Sequence, residues 1–150
     1  MQQISELMTR SPAVCTPETN LEQVVKAMIK YNCGQIPVVN NLKEMVPVGV
    51  VTDRDIACRS IGRGKDPFKM VARDCMSGPV TTIRFDEPIE EALKVMVFKK
   101  IRRLPVLDGS GKICGVLSQA DVAGRVDNSL VGEVLSLLSQ PTESPAHHAH

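Results

Sequence analysis

Gly49-Val50-Val51-Thr52-Asp53-Arg54-Asp55-Ile56 returns 66 residues later as Gly115-Val116-Leu117-Ser118-Gln119-Ala120-Asp121-Val122. Upstream, Ile36-Pro37-Val38-Val39 returns as Leu104-Pro105-Val106-Leu107, with an offset of 68. Met8 and Met76 keep that offset of 68, as do Leu21 and Ile89. Two residues are therefore lost between the two apolar runs of the second copy. The first copy has Asn40-Asn41-Leu42-Lys43-Glu44 there, and the second has Asp108-Gly109-Ser110-Gly111, which is hairpin-turn chemistry. A length change confined to a turn marks a duplicated unit, and a duplicated unit predicts paired, pseudo-symmetric sites.

Each copy reads β-α-β-β-α. It opens with an extended stretch, Val14–Thr16 or Val80–Ile83. Leu21, Val24, Val25, Met28 and Ile29 then repeat at helical spacing, as do Ile89, Ala92, Leu93, Met96 and Val97. Thr19-Asn20-Leu21-Glu22 predicts a capping box, and Pro88 suits the first helical turn of the second copy. Val- and Ile-rich runs predict strands at Gln35–Val39, Val46–Val51, Arg103–Leu107 and Ile113–Leu117. Second helices follow from Asp53 and Gln119. Gly62, Gly64 and Pro67 mark 60–74 as a connecting loop. Leu130, Val131, Val134, Leu135 and Leu138 form a further helical stripe, and 140–150 reads as a disordered tail. The domain expectation is 1–66 for the first repeat, 67–128 for the second, and 129–150 for a short helix and tail.

Composition narrows the function classes. A net charge of +1 argues against bulk attraction to nucleic acid or an anionic membrane, and 3% aromatic residues give little base-stacking surface. The basic stretch Arg59, Arg63, Lys65, Lys69 and Arg73 is expected to be a solvated loop. No apolar run approaches the roughly 20 residues that span a bilayer, and the start lacks a signal-peptide pattern, so a cytoplasmic location is expected. The five cysteines contain no C-x-x-C pair. Four of them, Cys15, Cys33, Cys75 and Cys114, align with Ile83, Ile101, Leu7 and Val48 of the other copy, which reads as small core hydrophobes in a reducing compartment. Every histidine lies in the tail, at 147, 148 and 150, so no His-based nucleophile–base pair is available and no enzyme constellation is visible.

The chemistry sits in Thr52-x-x-Asp55 and Ser118-x-x-Asp121. At a strand-to-helix turn this spacing admits two readings. One is a capping box, with the acid reaching back to the cap amide. The other is a nucleotide grip: helix amides and hydroxyl on a phosphate, carboxylate on the ribose hydroxyls. Arg102 and Arg103 precede the Leu104-Pro105 strand and suit bidentate phosphate contact, whereas Gly34 and Gln35 of the first copy are uncharged. The two sites are therefore electrically unequal.

These motifs, twice and in order, resemble the cystathionine β-synthase (CBS) domain, and residues 4–127 resemble a CBS pair, or Bateman module. The resemblance implies an α+β fold: tandem β-α-β-β-α CBS repeats forming one pseudo-two-fold module with two interface clefts. It implies adenosyl ligands there, such as AMP, ADP, ATP or S-adenosylmethionine, with no required cofactor and no metal. By position it implies Thr52, Asp55, Ser118, Asp121, Arg102, Arg103, Thr82, Ile36 and Leu104 as ligand-binding residues. It also implies a homodimer and a separate regulated protein as partner. The function expected is a regulatory module that senses adenine nucleotides. The rival is an interaction or dimerisation module whose clefts stay empty and whose Thr/Ser-x-x-Asp elements are only caps.

Overall fold

The computed structural model describes residues 3–123 together with Ser129, Gly132 and Ser136. The expected stripe at 130–138 and the tail at 140–150 lie outside the described residues, apart from Gly132 and Ser136. The chain runs α1 (Ile4–Leu7), β1 (Thr9–Arg10), α2 (Leu21–Tyr31), β2 (Gln35–Val39), β3 (Pro47–Thr52), α3 (Asp53–Arg59), α4 (Ala72–Cys75), β4 (Ile83–Arg84), α5 (Ile89–Lys99), β5 (Arg103–Leu107), β6 (Ile113–Ser118) and α6 (Gln119–Val122). The fold is α+β, as expected.

Each repeat is built on an antiparallel hairpin, β2–β3 or β5–β6. Both hairpins carry a register shift at the same place, between Val38 and Val39 and between Val106 and Leu107. The turns differ as the sequence requires. In the first, Asn41 Oδ1 accepts from the amides of Lys43 (3.0 Å) and Glu44 (2.7 Å). In the second, Asp108 Oδ1 accepts from the amides of Ser110 (2.8 Å) and Lys112 (3.1 Å) and from the Ser110 hydroxyl (2.7 Å). Those bonds hold the Asp108 carboxyl below its ordinary pKa, the Ser110 hydroxyl contributing most.

The hairpins are completed by exchange. In the second repeat the sheet order is β1-β6-β5-β4, so its edge strand comes from the opening of the chain, with Thr9 opposite Val116 and Arg10 opposite Gly115. In the first repeat, Ser77 bridges Val50 in the equivalent way. The short helices follow suit. The Ile4 amide donates to the Glu87 carbonyl (3.1 Å), and the Ala72 amide to the Thr19 carbonyl (2.8 Å). One core therefore holds Ile4 with Ile83, Ile89, Ala92, Met96, Leu104, Val106, Leu117 and Val122. The other holds Met70, Ala72 and Cys75 with Cys15, Leu21, Val24, Met28, Ile36, Val38, Val51 and Ile56.

The glycines that open both repeated motifs mark the crossings. A Cβ on Gly115 would lie 2.6 Å from Met8 Sδ and 2.9 Å from the Thr9 carbonyl oxygen. On Gly49 it would lie 3.0 Å from the Ser77 carbonyl oxygen and 3.3 Å from Met76 Sδ. A side chain there would push the exchanged strand off the hairpin.

Three local expectations are corrected. Asn20, not Thr19, caps α2, its Oδ1 accepting from the Gln23 amide (2.9 Å), while Thr19 Oγ1 accepts from the Thr16 amide (3.0 Å). Pro88 is itself the N-cap of α5, one residue before the first turn. The 60–74 segment is more than a loop: Met70 and Ala72 are buried in the first core, and Arg59 Nη1 clamps the carbonyls of Cys75 (3.1 Å) and Met76 (2.9 Å).

Of the cysteines, Cys15 and Cys75 belong to the first core, and Cys33 and Cys114 pack partly buried against the two cores. Burial pushes the Cys15 thiol up to about 12 and raises those of Cys75 and Cys114. No helix among the described residues is long and apolar enough to cross a membrane.

Candidate functional site

Both repeated turns form complete capping boxes. Thr52 Oγ1 accepts from the Asp55 amide (3.0 Å), and Asp55 Oδ2 accepts from the Thr52 amide (3.3 Å). Ser118 Oγ accepts from the Asp121 amide (3.1 Å), and Asp121 Oδ2 accepts from the Ser118 amide (2.8 Å). The cap and the ligand-binding reading do not exclude each other. The box fixes each carboxylate by one oxygen and leaves the other, and it uses the hydroxyl as an acceptor while leaving its proton to donate. A polar group held in this way is pre-oriented for a ligand.

What distinguishes the two copies is the space around them. Ser118 and Asp121 line a cleft of about 250 Å³. The exchanged opening segment, Thr9 to Ala13, lines it too, with Tyr31 from α2 and Gln35 and Pro37 from β2. Arg103 and Pro105 of β5 also line it. The cleft is thus built from both repeats. Arg10 and Arg103 give it two cations against the one acid Asp121. Strand pairing explains the convergence: Arg103 lies opposite Ser118 on β6, and Arg10 lies opposite Gly115 on the same strand. Ser11 turns the segment along the cleft with a left-handed backbone, φ 54°.

Thr52 and Asp53 instead line a larger groove of about 1330 Å³ along α2 and α3. Its floor is apolar, and Ile29, Ile61 and Phe68 are each more than 70% exposed on it. Lys100, Arg102 and Arg103 form its basic end, where the Gln119 amide donates to the Arg102 carbonyl (2.7 Å). Arg103 therefore stands in the wall of both cavities. Glu22 and Lys26, an exposed pair at 3.5 Å, line the groove elsewhere.

The sequence-expected residues thus separate. Ser118, Asp121 and Arg103 converge on the cleft, and Thr52 and Arg102 line the groove. Asp55 and Thr82 line neither cavity. Ile36 and Leu104 are fully buried in the two cores, because strand alternation turns them into the cores and their neighbours Gln35, Pro37, Arg103 and Pro105 to the other face of the hairpins, where all four line the cleft and the two prolines are themselves buried. The Thr9–Ala13 wall and Tyr31 were not among the expected residues. The signal was present in Met8 and Met76, the paired markers just before the exchanged strands. Among the described residues no cluster of His, Cys, Asp and Glu could hold a metal ion.

Comparison with known proteins agrees with this architecture. The family model described as the CBS domain matches twice, over residues 4–61 and 72–128. The chain is 34% identical over 131 residues to the uncharacterised protein MK0525 of Methanopyrus kandleri, covering 87% of this chain but only 65% of that one, so it spans less than two thirds of that relative. It is 30% identical to the CBS domain-containing protein YhcV of Bacillus subtilis, over 93% of this chain and 96% of that one. Among solved structures it resembles the CBS domain protein PAE2072 of Pyrobaculum aerophilum, a complex with AMP, with 27% identity, a TM-score of 0.70, and coverage of 90% of this chain and 99% of that one. With an exchanged-strand pair of repeats, a doubled motif and a family match over both copies, the chain belongs to the CBS domain family.

Proposed function

We propose that the chain is a regulatory module, not an enzyme, and that it binds an adenine nucleotide in the Ser118/Asp121 cleft. The observation that carries this is the convergence of Ser118, Asp121, Arg103 and Arg10 on one cleft walled by both repeats. Its 250 Å³ is just below the range of about 300–1,000 Å³ typical of small-molecule pockets, which suits a nucleoside-sized guest after slight opening. Asp121 takes the ribose hydroxyls with its uncapped oxygen. The Ser118 hydroxyl donates to the phosphate. Arg103, with Arg10, supplies charge to the phosphates. The relative PAE2072 was solved with AMP, which supports the same ligand class here.

The Thr52/Asp55 turn is proposed as a second, weaker site. Gln35 stands there in place of Arg103, and Gly78 in place of Arg10. The module acts by population shift, the ligand favouring one arrangement that a separate protein reads. It pairs with a second copy through the α2/α3 groove, whose exposed apolar side chains need cover, and it works in the cytoplasm. Isothermal titration calorimetry with AMP, ADP, ATP and S-adenosylmethionine tests the reading. Binding by the wild type and its loss in Asp121→Ala are expected. No heat with any of the four would favour an interaction module whose turns are only caps.

A further inference from the structure

We infer that the two turns compete for Arg103, so that a phosphate-bearing ligand at one weakens binding of a second at the other. The inference rests on the proposed function and adds its regulation. Arg103 and Gln35 line both cavities, whereas Ser118 and Asp121 line only the cleft and Thr52 only the groove. Strand register produces this overlap. Gln35 lies opposite Thr52 and Arg103 opposite Ser118, so each phosphate-side hydroxyl has the first residue of the paired strand beside it. Those two first residues are equivalents in the two repeats, 68 apart, and both stand in both walls. Only one of them is a cation.

Among the described residues no ion pair engages Arg103, so its guanidinium is open to an anion. One guanidinium faces two phosphates only when the phosphates lie near each other, and like charges then repel. Lys100 and Arg102 also border the groove, but both are exposed and their attraction is screened by salt. Arg103 is half-buried, and its field is screened less. Arg10 adds a second cation on the cleft side alone, so the cleft fills first. A ligand arriving at the Thr52 turn then meets Gln35 and a neighbouring anion. Adenosine carries no phosphate and has nothing to compete for. By linkage the antagonism is mutual.

Calorimetry on the wild type and on Ser118→Ala with Asp121→Ala, which disables the cleft and leaves the Thr52/Asp55 turn untouched, tests the competition. AMP should bind the variant at least about fivefold more tightly than it binds the second site of a wild type already filled at the cleft, the lower end of usual coupling strengths. Adenosine should show no such difference. Gln35→Arg gives each hairpin its own cation and alters neither turn, and it should bring the two AMP affinities of the chain closer by a similar factor. A wild type that takes up one AMP while the cleft-disabled variant also takes up one would support the strong limit of competition. Equal AMP affinity at the Thr52 turn with the cleft filled or disabled would overturn it, as would equal antagonism with adenosine. So would a cleft-disabled variant that folds but binds no AMP, because no second site would then exist. If that variant does not fold, Gln35→Arg decides alone, and an unchanged gap between its two AMP affinities overturns the competition. Absence of AMP binding by the wild type would instead refute the proposed function, on which the competition depends.

Discussion

The two repeats share one backbone plan but not one surface. Their hairpins, shifted registers, capping boxes and exchanged strands match almost residue for residue. The differences lie at positions the fold does not constrain. Arg10 faces the cleft where the other copy has Gly78, and Arg103 stands where the other copy has Gln35. On the helices, Val25 is 38% exposed while its counterpart Leu93 is 9% exposed. Duplication thus supplies two scaffolds, and the proposed function rests on their divergence at these positions. In this account one turn closes a charged ligand cleft, and the other borders an apolar contact face.

The sharpest way to break the comparison of cores is to remove the exchanged apolar anchor. Ile4 is fully buried in the second core, and its counterpart is already Ala72. Ile4→Ala should lower unfolding stability by about 2–5 kcal/mol, the usual cost of such a deletion, when measured by denaturant titration. A loss below 1 kcal/mol would mean that the opening helix does not hold the second core. The crossings can be ranked next. Overpacking costs about 1–3 kcal/mol. Gly115→Ala should fall near the top of that range and Gly49→Ala near the bottom, because the first meets sulfur and carbonyl oxygen at closer range. Equal thermal shifts would remove the ranking.

Charge offers a finer contrast. Arg103→Gln should weaken ATP more than adenosine, by about tenfold, the weight of one charge-assisted bond. Raising salt should narrow that gap, since partly exposed charges are screened. Equal loss for ATP and adenosine would make the arginine structural.

The smallest effects concern the thiols. Burial disfavours the thiolate of Cys15, whose folded pKa of about 12 lies above its ordinary 9.0. Its contribution to stability is therefore full below pH 9 and is lost as pH rises from about 9 toward 12. Timed alkylation followed by mass spectrometry should modify the exposed Cys58 first and the buried Cys15 only on unfolding. Early labelling of Cys15 would contradict its place in the core.

Much of this fold was legible in the sequence because duplication is an internal control. The two-residue difference placed the turn, and it falls there: seven residues separate β2 from β3 and five separate β5 from β6. Strands Gln35–Val39 and Arg103–Leu107 match their expected limits. The caps were legible as chemistry, but not their ligand role, because one Thr/Ser-x-x-Asp spacing serves both. The exchange of strands was not legible. Thr9 pairs with Val116 across most of the chain, and periodicity reports only neighbours in sequence. For the same reason the Thr9–Ala13 wall escaped notice, and Ile36 and Leu104 were assigned to a ligand although their alternation turns them into the cores.

The central claim is that the Ser118/Asp121 cleft is the principal adenosyl site. Calorimetric titration of AMP into the wild type, Asp121→Ala and Asp55→Ala tests it most directly. Asp121→Ala should weaken the tighter event by about 1.5–3 kcal/mol, the usual weight of a hydrogen bond to a charged group. Asp55→Ala should leave that event within about 0.5 kcal/mol of wild type, as expected for a substitution remote from the site. Loss of the tighter event in Asp55→Ala, with Asp121→Ala unchanged, would place the ligand in the other repeat and contradict the account.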